Sequence, residues 1–251
     1  MTPNIRQALQ QAILAHNKGN LEEAERLYRS VLKFYPKSPD ANHNLGLLAV
    51  AANKPDLAIP LFKTALDANR NSEQLWLSYI DALIKEKKFE RVKKLMRQAN
   101  KQGINQNRFH ELYNTLGITL KAVGKLKEAE ASLRKAISLS PNSHVPYINL
   151  GNTLLELGRA ADAVKCFKQA INIKPDFAET HFNLANTLQV LGKLIEAKAS
   201  YEQAISLNPE HFVAHNNLGF TLAILGKSEE AESHYKRAIT LNCDYSEAYV
   251  N

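Results

Sequence analysis

One spacing in the chain restricts its fold more than any other feature. When the Leu-Gly pairs are aligned, a first series of mostly small residues recurs at gaps of 34, 34, 37, 34, 34 and 34 positions. The members of this first series are Ala12, Gly46, Ile80, Gly117, Gly151, Ala185 and Gly219. A fixed period of this length indicates that each unit is one supersecondary element, stacked on its neighbours to bury a continuous core.

Further series recur inside each unit at helical spacing. A second small series follows the first by twelve positions, a bulky series lies four positions after that, and a third small series lies three positions further on. The second series is Ala24, Ala58, Val92, Ala129, Ala163, Ala197 and Ala231. The bulky series is Tyr28, Phe62, Met96, Leu133, Phe167, Tyr201 and Tyr235. The third is Val31, Ala65, Asn100, Ala136, Ala170, Ala204 and Ala238. Spacings of three and four place these residues on one helical face, so each unit is predicted to pair two closely packed helices.

Glycine and proline mark where these helices end. A glycine lies between the two helical segments in five units, where it permits the positive φ of a tight turn. These glycines are Gly19, Gly124, Gly158, Gly192 and Gly226. Pro36, Pro141, Pro175 and Pro209 close four units. Only Gly103 matches neither glycine position, so almost no glycine remains for a phosphate-binding loop.

These motifs resemble the tetratricopeptide-repeat family over nearly the whole chain. The resemblance implies an all-α, right-handed α-solenoid of stacked antiparallel helix pairs with a concave groove, in a single array. Its repeats would be residues 5–38, 39–72, 73–109, 110–143, 144–177, 178–211 and 212–245, with the start of an eighth at 246–251. Residues 73–109 are degenerate, because Ile80, Val92 and Asn100 replace small residues and three extra residues lie near positions 101–110. A local kink or offset is expected there.

The last repeat stops in the middle of a helix. A solenoid normally ends on a helix with a polar outer face, whereas a half-helix leaves an apolar end uncovered. We expect the chain to be the N-terminal part of a longer protein; the alternative is that dimerisation covers the end.

Composition excludes several classes of protein. Apolar residues make up 45% of the chain, but no apolar run reaches the roughly 18 residues of a membrane span. The first residues lack the unbroken apolar stretch of a secretory signal. Two cysteines cannot form a disulfide framework, so a reducing, cytoplasmic location is expected.

The sequence contains none of the common catalytic or nucleotide-binding motifs. His211 and His215 have the spacing of a metal-binding pair, but His215 occupies a packing position of the repeat. Cys166 lies beside the packed Phe167, and paired glutamates such as Glu229 and Glu230 suit a helix start. We therefore predict no catalytic residue, metal site or cofactor within this segment.

The positive charge is concentrated in one stretch. The formal net charge is +7, and residues 85–108, with nine basic and two acidic residues, account for all of it. Phe89, Val92, Leu95, Met96 and Ala99 form the buried stripe of this helix, so its basic side chains are predicted on the solvated, convex side. No aromatic residues that could stack on bases are interleaved with them, which argues against nucleic acid as a partner.

A row of amides gives the best functional candidate. Two residues before each first-series position, the predicted inner stripe holds Gln10, Asn44, Ser78, Thr115, Asn149, Asn183, Asn217 and Asn251, which we call the amide row. Asn152 and Asn186 follow three residues after two of its members, on the same face. A side-chain amide both donates and accepts hydrogen bonds, so the row could pair with the backbone of an extended peptide. The structural alternative is that these amides cap turns or hydrate a polar surface.

The amide row resembles the asparagine-lined repeats of O-linked N-acetylglucosamine transferases, whose array recruits protein substrates. The resemblance implies peptide binding by Asn44, Asn149, Asn183, Asn217 and Asn251, interrupted at Ser78 and Thr115. It also implies a scaffold attached to a C-terminal glycosyltransferase domain. The resemblance to tetratricopeptide-repeat arrays in general implies a glycosyltransferase, sulfotransferase or methyltransferase domain. The alternative function is a free-standing adaptor that assembles a complex through its convex surface and ends. The sequence leaves the oligomeric state open.

Overall fold

The structure is a computed structural model that describes residues 3–104 and 109–243. This part of the chain is entirely helical and contains no β-strand. Its helices are α1 (Pro3–Asn17), α2 (Leu21–Phe34), α3 (Pro39–Ala51), α4 (Pro55–Ala68), α5 (Glu73–Lys85), α6 (Phe89–Lys101), α7 (Phe109–Ala122), α8 (Leu126–Leu139), α9 (His144–Glu156), α10 (Ala160–Ile173), α11 (Ala178–Val190), α12 (Leu194–Leu207), α13 (Phe212–Ile224) and α14 (Ser228–Leu241). The predicted α-solenoid class is confirmed, while the division into seven repeats of a single array stays a prediction.

The chain forms two compact units, Met1–Thr115 and Leu116–Asn251, which divide within α7. In the first unit α1 packs on α2, α3 on α4, and α5 on α6, and α3 also contacts α5. In the second unit α9 packs on α10, α11 on α12, and α13 on α14, and α11 contacts both α9 and α13. We call the surface of α3 and α5 in the first unit, and of α9, α11 and α13 in the second, the first-helix face of that unit.

Glycine in the first series allows two helices of a pair to approach closely. A Cβ added at Gly151 would lie 2.6 Å from a ring carbon of Phe167, and one at Gly117 would lie 2.6 Å from Cγ of Leu133. Phe167 and Leu133 are fully buried. The predicted fit between small residues and the bulky series is therefore confirmed.

The turns inside each pair use left-handed backbone. Gly158, for example, has φ +74, and the other four predicted turn glycines have similar values. Gly103, which matched neither glycine position, has φ +68 and follows the end of α6. Asn53 and Lys87 adopt φ 57 and 54 without being glycine. The glycine pattern alone missed these two turns.

Successive pairs are joined by a side-chain donor near the start of the next helix. Each donor binds the carbonyl oxygen of the residue six positions earlier, in the turn between the pairs. The four bonds run from Asn42 to Pro36 at 2.9 Å, from Trp76 to Arg70 at 2.8 Å, from His181 to Pro175 at 2.8 Å, and from His215 to Pro209 at 3.3 Å. Amide, indole and imidazole groups thus perform the same task, since each supplies one N–H donor to a carbonyl oxygen of the turn.

One register assignment in the degenerate unit is wrong. Asn100 was predicted in the third small series, but Asn100 is exposed and Ala99 is fully buried. Ala99 lies three residues after the buried Met96, which is the spacing found in the other units. The expected kink involves residues 105–108, which lie outside the described part of the chain, as do residues 246–251.

Candidate polypeptide-binding face

The second unit carries the best-preserved part of the amide row. Asn149, Asn183 and Asn217 lie in the middle of α9, α11 and α13, and Asn152 and Asn186 lie about one turn further on. All five side chains are half-buried. They are therefore neither fully covered by packing nor projecting freely into solvent.

One hydrogen bond links two of these helices through the amides themselves. Asn217 donates from Nδ2 to Oδ1 of Asn186 at 3.0 Å, which joins α13 to α11. Asn216, which is buried, donates to Oδ1 of Asn217 at 3.3 Å. The structure thus brings Asn186 and Asn217 together.

A buried tyrosine supports this pair from the second helix. The Tyr201 hydroxyl lies 2.5 Å from Oδ1 of Asn186 and 2.7 Å from Oε1 of Gln189. Burial raises the pKa of Tyr201, so the phenol keeps its proton and serves as a donor. Sequence reasoning assigned Tyr201 only to packing and did not identify Gln189.

The first unit repeats this arrangement once. Tyr28 precedes Asn44 in the repeat by the same number of positions as Tyr201 precedes Asn217. Burial raises the pKa of Tyr28 to about 12, and a hydrogen bond from Asn44 acts in the opposite direction. Asn44 is therefore a hydrogen-bond partner of the Tyr28 hydroxyl, as Asn217 is of the Tyr201 hydroxyl.

Asn183 has a phenylalanine at the repeat position where Asn44 and Asn217 have a tyrosine. Phe167, which holds the repeat position of Tyr28 and Tyr201, is fully buried and has no hydroxyl to offer. Within the described residues the side chains of Asn183 and Asn152 have no hydrogen-bond partner. Their donors and acceptors are therefore available to a ligand, in contrast to those of Asn217.

Three threonines lie directly below the row. Thr153, Thr187 and Thr221 each donate a hydroxyl proton to the carbonyl oxygen four residues earlier, which belongs to Asn149, Asn183 or Asn217. All three are almost completely buried, so these bonds satisfy hydroxyls that would otherwise lack a partner. The Asn-x-x-x-Thr spacing was visible in the sequence but was not interpreted.

The row is interrupted differently in the first unit. Ser78 lies with its hydroxyl 2.9 Å from Nε2 of His43, and Gln74 donates to the same hydroxyl at 3.4 Å. Burial lowers the pKa of His43, so the imidazole is neutral near pH 7. Gln10, at the beginning of the row, is exposed. Asn251, at its end, lies outside the described residues, and Thr115 lies in α7.

Apolar side chains remain exposed beside the amides. Phe220 and Ile224 on α13, and Ile118 on α7, are 43%, 54% and 43% exposed. Val190 on α11 is 79% exposed and was not anticipated. Because Val190 lies one turn after Asn186 and holds the repeat position of Ile224, this face combines amides with an apolar strip.

The other polar candidates have structural partners. Nδ1 of His211 accepts the N–H of Ala214 at the start of α13. Nδ1 of His215 lies 3.0 Å from Nδ1 of His234 while its Nε2 donates to Pro209. Burial raises the pKa of Cys166, which leaves the thiol protonated and unreactive.

In residues 3–104 and 109–243 there is no group of three potential metal ligands and no helix long and apolar enough to cross a membrane.

Comparison with solved structures shows the same fold. The C-terminal part of a tetratricopeptide-repeat protein from Cytophaga hutchinsonii aligns with a TM-score of 0.79 at 16% identity, covering 96% of this chain and 98% of that one. YrrB, described as a tetratricopeptide-repeat protein with an unusual peptide-binding site, aligns with a TM-score of 0.50 at 17% identity, covering 89% and 96%. The APC/C hetero-tetramer Cut9–Hcn1 aligns at 0.53 and 15% identity, covering 95% of this chain and 46% of that one.

The family comparison covers almost the entire chain. No curated protein matches the sequence. The model of the cilia and flagella-associated protein 70 C-terminal domain, a tetratricopeptide-repeat domain, matches residues 2–249. The repeat fold indicates a scaffold for protein–protein interaction and is typically non-catalytic. The chain therefore belongs to the tetratricopeptide-repeat family of the cilia and flagella-associated protein 70 C-terminal domain.

Proposed function

We propose that this chain is a scaffold that binds extended polypeptide on the first-helix face of its second unit. The observation that carries the proposal is the half-buried row of amides on α9, α11 and α13, of which Asn183 and Asn152 have no partner among the described residues. An extended peptide presents N–H and C=O groups that such amides can pair with, whatever its side chains.

The two parts of this face contribute differently to binding. Each amide–backbone hydrogen bond contributes about 0.5–1.5 kcal/mol net, which is small beside the cost of ordering a flexible peptide. Val190, Phe220 and Ile224 supply apolar area at about 25 cal/mol per Å² buried. The preferred peptide therefore carries apolar side chains next to backbone groups that the amides engage.

The amides are not equivalent in this proposal. Asn217 is already committed to Asn186, so its removal also loosens the contact between α13 and α11. Asn183 can be removed without breaking a described side-chain bond. Asn183→Ala is consequently the cleaner test, and the triple change of Asn149, Asn183 and Asn217 to Ala is the stronger one. Asn44 and Asn251 belong to the same proposal but lie outside the second unit's described face.

The experiment uses an array of short immobilised peptides, each spotted with a backbone N-methylated copy. We expect the unmodified peptides to bind and their N-methylated copies to bind less, because methylation removes the N–H donors. Asn183→Ala should weaken binding several-fold. Asn172→Ala, an exposed amide on α10 of the same unit, is the matched control and should change nothing. Undiminished binding by the triple variant, or equal loss in the control, would refute the proposal.

The wider context of the scaffold is a further part of the proposal. The resemblance of the amide row to substrate-recruiting transferase arrays supports a transferase partner domain in a cytoplasmic protein, and this support rests on the row alone. The family to which the chain belongs is described as a C-terminal domain and does not by itself favour that context. Sequencing the coding region on both sides of this segment tests it: the absence of a transferase domain would remove this part and leave peptide binding intact.

A free-standing adaptor is the second candidate, supported by exposed apolar residues on second helices. Phe34 at the end of α2 is 73% exposed, and Ile195 in α12 is 77% exposed. Partner capture that is lost in Ile195→Asp but retained in Asn183→Ala would favour this adaptor over the peptide-binding scaffold.

A further inference from the structure

A cleft in the first unit differs chemically from its counterpart one repeat earlier. It lies between α4, α5 and α6 and has a volume of about 370 Å³. Its lining residues are Lys63, Leu66, Asp67, Arg70, Trp76, Tyr79, Arg91, Lys94, Leu95 and Gln98. Trp76 and Tyr79 are buried and form part of the wall, whereas the basic side chains lie at the opening.

The charge of the lining is strongly positive. It contains two lysines and two arginines, 4 positive charges, against the single carboxylate of Asp67, which leaves 4 − 1 = +3. That carboxylate is paired with Arg70 at 2.9 Å. Among the described residues, Lys63, Arg91 and Lys94 form no ion pair, so three cations face one cleft without compensation.

The fold does not require this charge. An earlier cleft of about 310 Å³ lies between α2, α3 and α4, and several of its lining residues stand one repeat before lining residues of the later cleft. There Leu57 stands in place of Arg91 and Pro60 in place of Lys94. Two of the three uncompensated cations are thus replaced by apolar residues on the same architecture.

The charge that remains in the earlier cleft is largely compensated. Arg29 stands in place of Lys63, and it pairs with Glu25 at 2.7 Å. With Lys54 the lining carries two positive charges and one negative charge, which leaves 2 − 1 = +1. The accumulation of unpaired cations is therefore a property of the later cleft and not of the repeat.

Arg91 also breaks the charge pattern of the repeat. The residue just before the second small series is acidic in five of the seven units: Glu23, Glu128, Asp162, Glu196 and Glu230. In the second unit Glu196 lies 3.6 Å from Lys168, which occupies the position of Lys63. Lys168 and Glu196 carry opposite charges, whereas the equivalent positions of the first unit, Lys63 and Arg91, are both positive.

The local environment suits a bound anion. Arg91 lies in the first turn of α6, where the helix dipole favours negative charge and disfavours an arginine. Burial raises the pKa of Tyr79, although the nearby Arg91 charge acts against this shift, so the phenol stays a proton donor. An anion in the cleft would offset the positive charge of the lining and accept hydrogen bonds from it.

We propose that this cleft binds a phosphate monoester. Arginine presents a planar fork that matches phosphate oxygens in a bidentate manner, and a doubly negative group offsets most of the +3 lining. The cleft is larger than a phosphate group, and Leu66, Leu95 and Trp76 offer apolar wall for the organic part. This site is independent of the amide row, and sequence reasoning missed it because Trp76 and Tyr79 come from the helix before the basic segment.

The test follows the fluorescence of Trp76, the only tryptophan in the chain, during titration with phenyl phosphate at constant ionic strength. Calorimetry of the same titration gives an independent dissociation constant. We expect saturable binding that Arg91→Leu weakens about tenfold or more, because it removes charged hydrogen bonds. Lys94→Gln should weaken it less. Arg97→Leu is the matched control, since it makes the same charge change on α6 outside the cleft and should leave affinity within about twofold.

Comparison probes decide the ligand chemistry and its source. Benzoate binding as tightly as phenyl phosphate would overturn phosphate recognition, and unchanged affinity in Arg91→Leu would overturn the site. Equal weakening by Arg97→Leu would show that only net charge matters and would also refute it. A short phosphotyrosine peptide that binds more tightly than phenyl phosphate supports a phosphorylated partner, and one that binds more weakly supports a free small ester.

Discussion

Replacing Gly151 with alanine tests whether the close approach of two helices limits stability. The added Cβ would lie 2.6, 2.7 and 3.1 Å from three ring carbons of Phe167. The shortest of these distances is about 0.8 Å less than 3.4 Å, the lower limit of ordinary van der Waals contact. Because the ring is fully buried, it cannot move into solvent to make room, so either the ring leaves its preferred rotamer or α9 and α10 separate.

Two effects of opposite sign determine the outcome. Overpacking a core costs about 1–3 kcal/mol. Removing glycine from the interior of a helix stabilises by about 0.5–1 kcal/mol. The expected net effect is therefore a loss of about 0–2.5 kcal/mol. On helix propensity alone the same change would be stabilising, so the sign of the effect separates the two explanations.

A double-mutant cycle measured by urea unfolding isolates the overlap. Phe167→Ala alone should cost about 3–5 kcal/mol. In the double variant the new methyl group of residue 151 meets a cavity rather than a ring. The free energies of unfolding lost in the two single variants should therefore sum to about 1–3 kcal/mol more than the free energy lost in the double variant. Ala185→Gly, at the same repeat position facing Tyr201, is the control and should destabilise by about 1 kcal/mol. A Gly151→Ala variant more stable than the natural chain would refute the reasoning.

Three further changes test other features by urea unfolding. Gly158→Ala should lose about 1–2 kcal/mol from its positive φ alone, because a Cβ there meets nothing within 4 Å; Gly158→Asn should lose less. Tyr201→Phe should lose about 0.5–1.5 kcal/mol with its hydroxyl bond, whereas Tyr235→Phe should lose less, because the Tyr235 hydroxyl has no hydrogen-bond partner among the described residues; equal losses would contradict the bond. Burial lowers the pKa of both His215 and His234, so the unfolded chain binds protons first as pH falls below about 6.5. Stability should be fully present above that pH and decline below it, and His234→Gln should flatten the decline.

The parts of the fold that were predictable depend on residues close in sequence. Gly151 and Phe167 lie on consecutive helices, and their contact follows from the short turn that joins those helices. The same local logic identified the positive φ of Gly158. The same reasoning failed in the degenerate unit, because the third small series was placed one position too late, at the exposed Asn100 instead of the buried Ala99.

The site was only partly predictable because its bonds join different helices. The amide row was visible as a column of asparagines, but the Asn217–Asn186 bond depends on the offset between α13 and α11. The cleft beside Trp76 depends on how α5 lies against α6. A pattern within one helix cannot supply either distance, so side chains such as Gln189 and Val190 were missed.

The side-chain donors between successive helix pairs have a consequence for how such chains change length. Each of these donors connects two successive helix pairs through a hydrogen bond to the turn immediately before it. The donors are Asn42, Trp76, His181 and His215. Because each of these four bonds joins residues only six positions apart, gaining or losing a whole repeat elsewhere leaves these four connections intact. The residue at this position can therefore carry an amide, an indole or an imidazole, provided that its six-residue spacing from the turn is kept.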